Sequence, residues 1–375
     1  MSELRYGFGK NWEEFIRQKL SDEIVEESAA HMKNLLRADS LAGRVFLDIG
    51  CGSGIHSLAA KRLGASRIVS FDYDADSVAT TRRVKEWAGE GSDWTISRGS
   101  VLDVSFMRSL PKADVVYSWG VLHHTGAMWD AVRNAAIPLK DDGEFYIALY
   151  SSDIYLDPPP AFWIRLKRAY NNADSITRKL MELKYVYWTL IRPEIEAGRE
   201  PFGRLEAYGK RGMTAWTDAK DWLGGYPIEF AGYAETRDFC KRELGLDLVN
   251  VLTGEGCTEY VFARTGANAC WRAIERARSR VPIRGPIAHA GGAAYAIDLP
   301  PDFVGASDDE ANHMRSRLMM YEDGRPLGIA HCVPDIIRRL GGGRFGHRGA
   351  AVVFSASDNT NPNVNGRRYG YCVNY

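Results

Sequence analysis

The stretch 45–54 constrains the fold of this chain more than any other segment. An apolar run there ends in Asp48 and leads directly into a turn with glycines at positions 50, 52 and 54. A second apolar run, at 68–72, also ends in a carboxylate, Asp72. Glycines let a backbone approach its ligand closely, and a carboxylate at the end of the next strand can reach ribose hydroxyls. The two runs together predict a nucleotide-binding site.

The charge of this turn indicates which kind of nucleotide it binds. Its glycine spacing differs from the G-x-G-x-x-G of dinucleotide-binding proteins, and no G-K-[ST] follows it. We therefore expect no phosphate cradle. The acidic residue at the head of the turn would repel a phosphate, whereas it suits a cationic ligand that carries an amino group.

From position 44 onwards, apolar runs alternate with helical patterns, which predicts a parallel sheet with right-handed crossovers. The predicted strands lie near 44–49, 67–72, 94–98, 113–118 and 143–149, and the predicted helices near 54–63, 75–88 and 126–138. The alternation resumes with a helix near 233–243 and strands near 246–252 and 257–263, which we expect to pair antiparallel.

Length and pattern predict three regions in the 375 residues. They are an N-terminal helical cap at 1–40, an α/β domain at 41–265 with a helical lid insert at 151–230, and a mainly β domain at 266–375. In the last region, Asp323-Gly324 between apolar runs predicts a hairpin, and 333–340 predicts a short helix.

The composition argues against several classes of protein. Lys+Arg and Asp+Glu both number 48, so no general basic field favours nucleic acid or a membrane surface. The six cysteines show no C-x-x-C pair, which is typical of reduced thiols in a cytoplasmic protein. The first residues show no signal-peptide h-region and no apolar run approaches ~20 residues, so we expect neither export nor membrane spanning. The histidines at 289, 313, 331 and 347 lack metal-ligand spacing, so we expect no metal.

The ordered motifs resemble those of class I S-adenosylmethionine-dependent methyltransferases over roughly residues 40–265. The turn after Asp48 matches the first motif, Asp72 the ribose-binding carboxylate, 99–103 the loop beside the adenine, and 118–124 the loop on the substrate side. The resemblance implies a Rossmann-like seven-stranded sheet, S-adenosyl-L-methionine as cofactor and S-adenosyl-L-homocysteine as product. The cofactor-binding residues that we expect on this basis are Asn11, Asp48, Gly50, Cys51, Gly52, Asp72, Tyr73, Ser100, Val101, Ser118 and Trp119.

Two of these positions leave alternatives open. Many relatives carry Asp where this chain has Ser100, so the adenine contact falls to the Val101 backbone or to Asp103, unless Asp103 simply caps a helix. Asn11 lies in a stretch of glycines and aromatics that either closes over a ligand or anchors the first helix through Phe8 and Trp12.

His123 and His124 are the candidate catalytic residues. A hydroxyl or ammonium acceptor must lose a proton during methyl transfer, and histidine is well tuned for that near neutral pH. The alternative is that the pair orients its loop, as it often does in the family.

The candidate acceptor site lies in the insert, where aromatic and charged groups concentrate at Tyr208, Arg211, Asp221, Trp222, Tyr226 and Glu229. Their alternative role is an internally paired lid.

These observations predict methyl transfer to O or N of a polar small molecule, with a sugar or glycan precursor as the favoured acceptor. Aromatic rings and carboxylates suit a cationic side chain equally well, so N-methylation of the arginine guanidino group is the close alternative. A catalytically inactive binding or assembly protein is a further alternative. Nucleic acid and membranes are not expected partners, and a homodimer formed through the C-terminal domain is one further expectation.

Overall fold

The computed structural model describes residues 7, 9–202, 205, 215–264, 280–310 and 312–373. Tyr208 and Arg211, both predicted to bind the acceptor, lie outside the described residues. Within the described ranges, no helix is long and apolar enough to cross a membrane. The same ranges contain no group of three or more His, Cys, Asp or Glu side chains that could hold a metal ion.

A seven-stranded sheet organises the α/β part of the chain. Its strands are β1 (Val45–Ile49), β2 (Arg67–Asp72), β3 (Trp94–Arg98), β4 (Ala113–Trp119), β5 (Leu139–Tyr150), β6 (Asp247–Thr253) and β7 (Cys257–Ala263). Their order is β3-β2-β1-β4-β5-β7-β6. β1 pairs parallel with β2 and β4, whereas β7 pairs antiparallel with both β5 and β6. This topology confirms the predicted Rossmann-like fold class.

The sequence explains the inner strands and the helices between them. β1 is buried along most of its length, as expected for an inner strand of a sheet covered on both faces. The connecting helices are α3 (Ile55–Arg62), α4 (Ala75–Trp87), α5 (Val104–Ser109) and α6 (Met128–Ala135), and α1 (Gly9–Lys19) and α2 (Asp22–Leu36) precede the sheet. α4 begins after Asp74, whose carboxylate accepts a hydrogen bond from Asp76 N.

The fifth strand differs from its prediction at one end. β5 begins at Leu139, whereas the sequence predicted a start near 143. β5 begins with the buried Leu139, but the next three residues are polar, and two of them, Asp141 and Asp142, are exposed. An apolar pattern marks only the buried part of a strand, so it could not reveal this extension.

The insert after β5 is helical, as predicted. Its described helices are α7 (Pro160–Asn172), α8 (Ser175–Val186), a π-helical turn (Tyr187–Ile191), α9 (Arg192–Glu196) and α10 (Ala215–Gly224). Pro160 occupies the first turn of α7, where its missing N–H costs no hydrogen bond. Asp174 caps α8 by accepting a hydrogen bond from Thr177 N.

The chain divides into two compact units. The first comprises Met1–Lys33, Arg37–Lys140 and Tyr155–Phe230, and the second comprises Asn34–Leu36, Asp141–Ile154 and Ala231–Tyr375. The first unit thus contains β1 to β4 and the lid helices. The second contains β6, β7, helix α11 (Tyr233–Leu244) and the C-terminal strands. The predicted boundaries at 40 and 265 stay predictions.

The C-terminal region is mainly β, as predicted. Its strands are β8 (Val281–Pro282), β9 (Ala288–His289), β10 (Tyr295–Asp298), β11 (Leu318–Glu322), β12 (Arg325–Pro326), β13 (Phe345–Arg348), β14 (Ala351–Phe354) and β15 (Tyr369–Val373). They form two four-stranded sheets with the orders β13-β14-β10-β9 and β12-β11-β15-β8. Asp323 and Gly324 have φ of 48° and 78° and turn β11 into β12. The predicted short helix is α12 (Pro334–Leu340).

Candidate functional site

The glycine turn after β1 has a backbone that other residues would strain. Gly50, Gly52 and Gly54 have φ of 74°, 50° and 83°, in the left-handed region that glycine enters freely. A Cβ on Gly50 would lie 2.4 Å from Val121 Cγ2, so a side chain there would displace its neighbour. The turn therefore presents backbone, rather than side chains, to whatever lies beside it.

Asp48 is a buried carboxylate at the head of this turn. Only 2% of the residue is exposed, and its Oδ2 accepts a hydrogen bond of 2.5 Å from Ser57 Oγ. Burial raises the pKa of Asp48 to about 7, and the charge of Asp72 adds to that rise. A cationic ligand nearby would oppose both effects, because it favours the ionised form.

Asp72 lies at the end of β2, beside the same turn. Its Oδ2 accepts a hydrogen bond from Gly52 N (3.0 Å), and its Oδ1 accepts one from Asp74 N (2.8 Å). Burial raises the pKa of Asp72 to about 6, against the lowering effect of these two bonds. The turn thus holds two carboxylates in a protein environment that disfavours their charge. Such an arrangement is common at functional sites.

Helix α1 packs beside the glycine turn. A Cβ on Gly52 would lie 3.0 Å from Trp12 Nε1, and Gly9 N donates to Asp74 Oδ2 (3.0 Å). Asn11 Nδ2 donates to Asp221 Oδ1 on lid helix α10. One residue predicted to bind the cofactor is therefore joined to one predicted to bind the acceptor.

The loop after β3 is held by bonds within the chain. Ser100 Oγ accepts from Leu102 N (3.2 Å), and the Val101 carbonyl accepts from Asn134 Nδ2 (3.1 Å). Asp103 caps α5 by accepting from two of its backbone N–H groups, which is the structural role that the sequence left open for it.

The remaining predicted cofactor residues differ in exposure. Cys51 is buried, and its Sγ accepts a hydrogen bond from Thr81 Oγ1 (3.2 Å). Tyr73 is 51% exposed, with the Arg98 guanidinium 5.8 Å from its ring centroid. Ser118 is buried and donates to the Ile49 carbonyl (3.1 Å), which ties β4 to the start of the glycine turn. Trp119 is 40% exposed, so its ring is available to a ligand.

The two histidines after β4 have different environments. His123 is fully buried, and burial lowers its pKa well below the ordinary value. Its backbone carbonyl accepts a hydrogen bond from Glu229 N (2.9 Å). His124 is partly exposed, and its Nδ1 lies 2.8 Å from the Pro227 carbonyl oxygen. A carbonyl only accepts, so Nδ1 carries the proton and Nε2 is the basic nitrogen of neutral His124.

Glu229 and Tyr226 belong to the segment that contacts this histidine loop. The Glu229 carboxylate accepts a hydrogen bond from Met128 N (2.8 Å) at the start of α6, and burial raises its pKa. Tyr226 is partly exposed. The segment therefore binds the loop after β4 through its backbone and through one carboxylate.

The lid contains an aromatic cluster around Trp222. The Trp222 ring stacks on Tyr155 at 5.5 Å between centroids and meets Trp163 edge-on at 5.3 Å. Lys167, fully buried, has its Nζ 3.8 Å from the Trp222 ring centroid and donates to the Trp222 carbonyl. These rings and the amine contact one another within the lid, and the acceptor role of this segment stays a prediction.

A family model described as a methyltransferase domain matches residues 47–147. Residues 47–147 therefore carry a methyltransferase domain. The match covers the glycine turn, both carboxylates and the two histidines, and it confirms the predicted family and enzyme class for these residues. The positive-φ glycines, the buried carboxylate of Asp48 and the partly buried carboxylate of Asp72 fit the predicted cofactor, S-adenosylmethionine, which is cationic and carries an amino group.

Known proteins resemble the methyltransferase domain over part of their length. The tRNA U34 carboxymethyltransferase of Methylococcus capsulatus is 31% identical over 107 residues, which are 28% of this chain and 32% of that protein. A ubiquinone biosynthesis O-methyltransferase of a Methylobacterium species is 30% identical over 118 residues, 32% of this chain and 45% of that protein. The chain thus spans less than half the length of these curated relatives.

Solved structures resemble the chain at lower identity. An O-methyltransferase family protein from Burkholderia thailandensis is 13% identical, with a TM-score of 0.42 over 66% of this chain and 57% of that one. The PKMT2 protein from Rickettsia typhi, in complex with AdoHcy, is 11% identical, with a TM-score of 0.45 over 64% of this chain and 52% of that one.

Lys167 is a buried residue of the lid that the sequence did not single out. Trp163, Lys167 and Tyr170 recur at helical spacing on α7, so they share one face. Two aromatic residues on that face indicate that it is buried, and the lysine lies between them. This spacing was the available signal, although a single lysine on a helix ordinarily extends to solvent.

Proposed function

We propose that the protein is an S-adenosylmethionine-dependent methyltransferase whose acceptor is a hydroxyl oxygen of a neutral polar small molecule. A sugar or a glycan precursor is the favoured class. The observation that carries the proposal is the buried carboxylate of Asp48 together with the partly buried carboxylate of Asp72, both beside the positive-φ glycine turn in the methyltransferase domain.

S-adenosylmethionine, when bound, supplies a methyl group on a positively charged sulfur. The work left to the protein is mainly positioning, because in-line attack depends on the approach distance and on alignment. Asp48 and Asp72 favour the cationic end and the ribose of the cofactor, and the glycine turn lets the backbone approach it. The exposed face of Trp119 can exclude water from the reacting atoms.

A hydroxyl acceptor must lose its proton, and His124 is the better base of the histidine pair. The Pro227 carbonyl holds its Nδ1 proton, so the ring is oriented and Nε2 can accept a proton. His123 is fully buried, and its carbonyl binds Glu229 N. We therefore assign His123 to the support of the loop and His124 to proton acceptance.

The lid carboxylates support a neutral acceptor over the guanidino group of arginine. Asp221 accepts a hydrogen bond from the Asn11 amide, and Glu229 accepts one from Met128 N. Both carboxylates therefore already have donors within the chain. A cationic acceptor would have to replace these bonds, whereas a polyol can share carboxylates that remain hydrogen-bonded.

A labelled-methyl transfer screen tests the proposal. The full chain is incubated with S-adenosylmethionine that carries a labelled methyl group, in separate reactions with nucleotide sugars, free sugars, free amino acids including arginine, and bulk tRNA. We expect label in a sugar fraction, and none when Asp72→Asn replaces the wild type. Label in arginine alone would establish the alternative acceptor, and label in tRNA alone would refute a small-molecule acceptor. Cofactor binding without transfer to any acceptor would support the inactive binding protein.

A further inference from the structure

We propose that the C-terminal region contains a separate binding site, beside the β11–β12 hairpin, for a sugar unit that carries a carboxylate or phosphate group. A cavity of about 450 Å³ lies there, within the ~300–1,000 Å³ of small-molecule sites. The cavity belongs to the second compact unit, outside the methyltransferase domain, so the inference does not depend on the proposed function. Its lining includes four polar and two apolar residues that matter here: Glu322, Arg325, Ser357, Arg367, Pro326 and Leu327.

The strand register places Glu322 and Arg325 on one face of a sheet. Glu322, the last residue of β11, pairs with Arg325 in β12 on one side and with Tyr369 in β15 on the other. Residues directly opposite each other on neighbouring antiparallel strands project to the same face. The carboxylate and the guanidinium that line the cavity are therefore neighbours across the hairpin.

The Glu322 carboxylate is held through one of its two oxygens. Oε1 accepts hydrogen bonds from Tyr369 Oη (2.7 Å), Arg367 Nη1 (2.9 Å) and Ser357 N (3.4 Å). These bonds fix a side chain that is only 9% exposed. Oε2 accepts no hydrogen bond from the residues that the structure describes, and it is not among their enclosed polar atoms. A carboxylate oxygen has two lone pairs, so Oε2 is available to a donor in the cavity.

Arg325 supplies a positive charge at the same cavity. Its side chain is exposed and, among the described ranges, makes neither an ion pair nor a hydrogen bond. Arg367, in contrast, is already bound to Glu322 (2.9 Å) and to Asp358 (2.5 Å). A guanidinium presents its N–H donors in a planar fork that matches two oxygens of a carboxylate or a phosphate. Arg325 therefore favours a ligand with an anionic group.

The rest of the ligand must donate hydrogen bonds, because Glu322 Oε2 only accepts them. A hydroxyl or an ammonium group can do so. The Arg367 guanidinium lies 2.9 Å from this carboxylate, and it would repel a second cation there. Hydroxyls avoid that repulsion, and the surfaces of Pro326 and Leu327 suit the C–H groups of a sugar ring. A hydroxylated anion satisfies both charged groups, whereas a neutral sugar leaves Arg325 without a counter-ion.

Calorimetric titration of the full chain tests the ligand class. The probes are D-glucuronate, glucose 1-phosphate, D-glucose, acetate, inorganic phosphate and L-alanine, all at equal ionic strength. We expect saturable binding of glucuronate or glucose 1-phosphate, and the stronger of the two identifies the anionic group. The other four probes should bind at least on the order of tenfold more weakly. No saturable binding of either anionic sugar, or equal binding of any of the four, would overturn the proposal.

Substitution of Arg325 tests the location. Arg325→Ala removes a side chain without contacts to the described residues, so the protein should stay folded and bind the anionic sugar on the order of tenfold more weakly. Arg339→Ala, which removes an exposed arginine of α12, is the matched control and should bind as wild type does. Unchanged affinity in Arg325→Ala would overturn the assignment. Asp72→Asn should also bind the anionic sugar normally, so this site and the proposed function can fail independently.

Arginine footprinting locates the site in the unsubstituted protein. Full-length chain is treated with phenylglyoxal, which reacts with guanidinium groups, and modification of each arginine is followed by peptide mass spectrometry. We expect the anionic sugar that binds in the titration to slow the modification of Arg325 but not that of Arg339. Equal rates at Arg325 with and without this sugar would place the binding elsewhere and overturn the proposal.

Discussion

Replacing the buried carboxylate Asp48 by asparagine should change the stability of the ligand-free protein in a pH-dependent way. The substitution keeps the size of the side chain and an oxygen that can accept the hydrogen bond from Ser57. It removes only the group that titrates. If the difference in free energy of unfolding between variant and wild type changes with pH, that change therefore reports the ionisation of Asp48 and of the groups coupled to it.

The magnitude follows from the pKa of Asp48. Burial raises it from 3.8 to about 7, so the folded protein binds this proton more tightly than the unfolded chain. The stability that Asp48 contributes is therefore present at low pH and is lost as pH rises towards 7. Between about pH 5 and about pH 8.5 the wild type should lose about 3 kcal/mol through this group. Asp48→Asn should not show that loss.

Urea unfolding at the two pH values measures this effect. At each pH, the free energy of unfolding of wild type is subtracted from that of Asp48→Asn. This difference should be about 3 kcal/mol larger at the higher pH than at the lower pH, because only the wild type loses stability between them. Asp76→Asn, a substitution at an exposed carboxylate in the first turn of α4, is the control and should show no such change. A difference between Asp48→Asn and wild type that is the same at both pH values would refute the assigned pKa.

Three further substitutions test the roles of the ribose carboxylate, the glycine turn and the histidine after β4. Asp72→Asn should weaken binding of S-adenosylhomocysteine about 10- to 100-fold by calorimetry, because charged hydrogen bonds to the ribose are lost; unchanged affinity would exclude Asp72 from the site. Gly50→Ala should lower the free energy of unfolding by about 2–4 kcal/mol, through its φ of 74° and the contact with Val121. Gly89→Ala, with φ of 67° but open space, isolates the backbone contribution and should cost less. His124→Asn should lower kcat about 100- to 10,000-fold with cofactor affinity unchanged; an equal loss of affinity would make it a structural residue.

The sequence predicted the sheet because its inner strands are apolar runs with polar turns between them. β2 and β3 occupy the predicted residues, and the antiparallel pair β6 and β7 was expected from two short runs close together. The short strands β8 and β9 were not predicted, because both are exposed and carry no apolar pattern. β8 pairs with β15, which is distant in sequence, whereas β9 pairs with the nearby strand β10.

The cofactor side of the site could be proposed from the sequence, because its glycines and carboxylates are close together along the chain. The contacts within the candidate acceptor side could not be proposed, because they join distant residues. The bond from Asn11 to Asp221 spans 210 positions, and that from Lys167 to Trp222 spans 55. No local pattern specifies such contacts, so the sequence identified the aromatic and charged composition of the lid but not which groups pair within it.

Calorimetric titration with S-adenosylhomocysteine measures whether the turn between Asp48 and Gly54 binds S-adenosylmethionine together with Asp72. We expect saturable binding at one site per chain for wild type and much weaker binding for Asp72→Asn under the same conditions. No heat of binding to folded wild-type protein, or equal affinity in the two proteins, would contradict it.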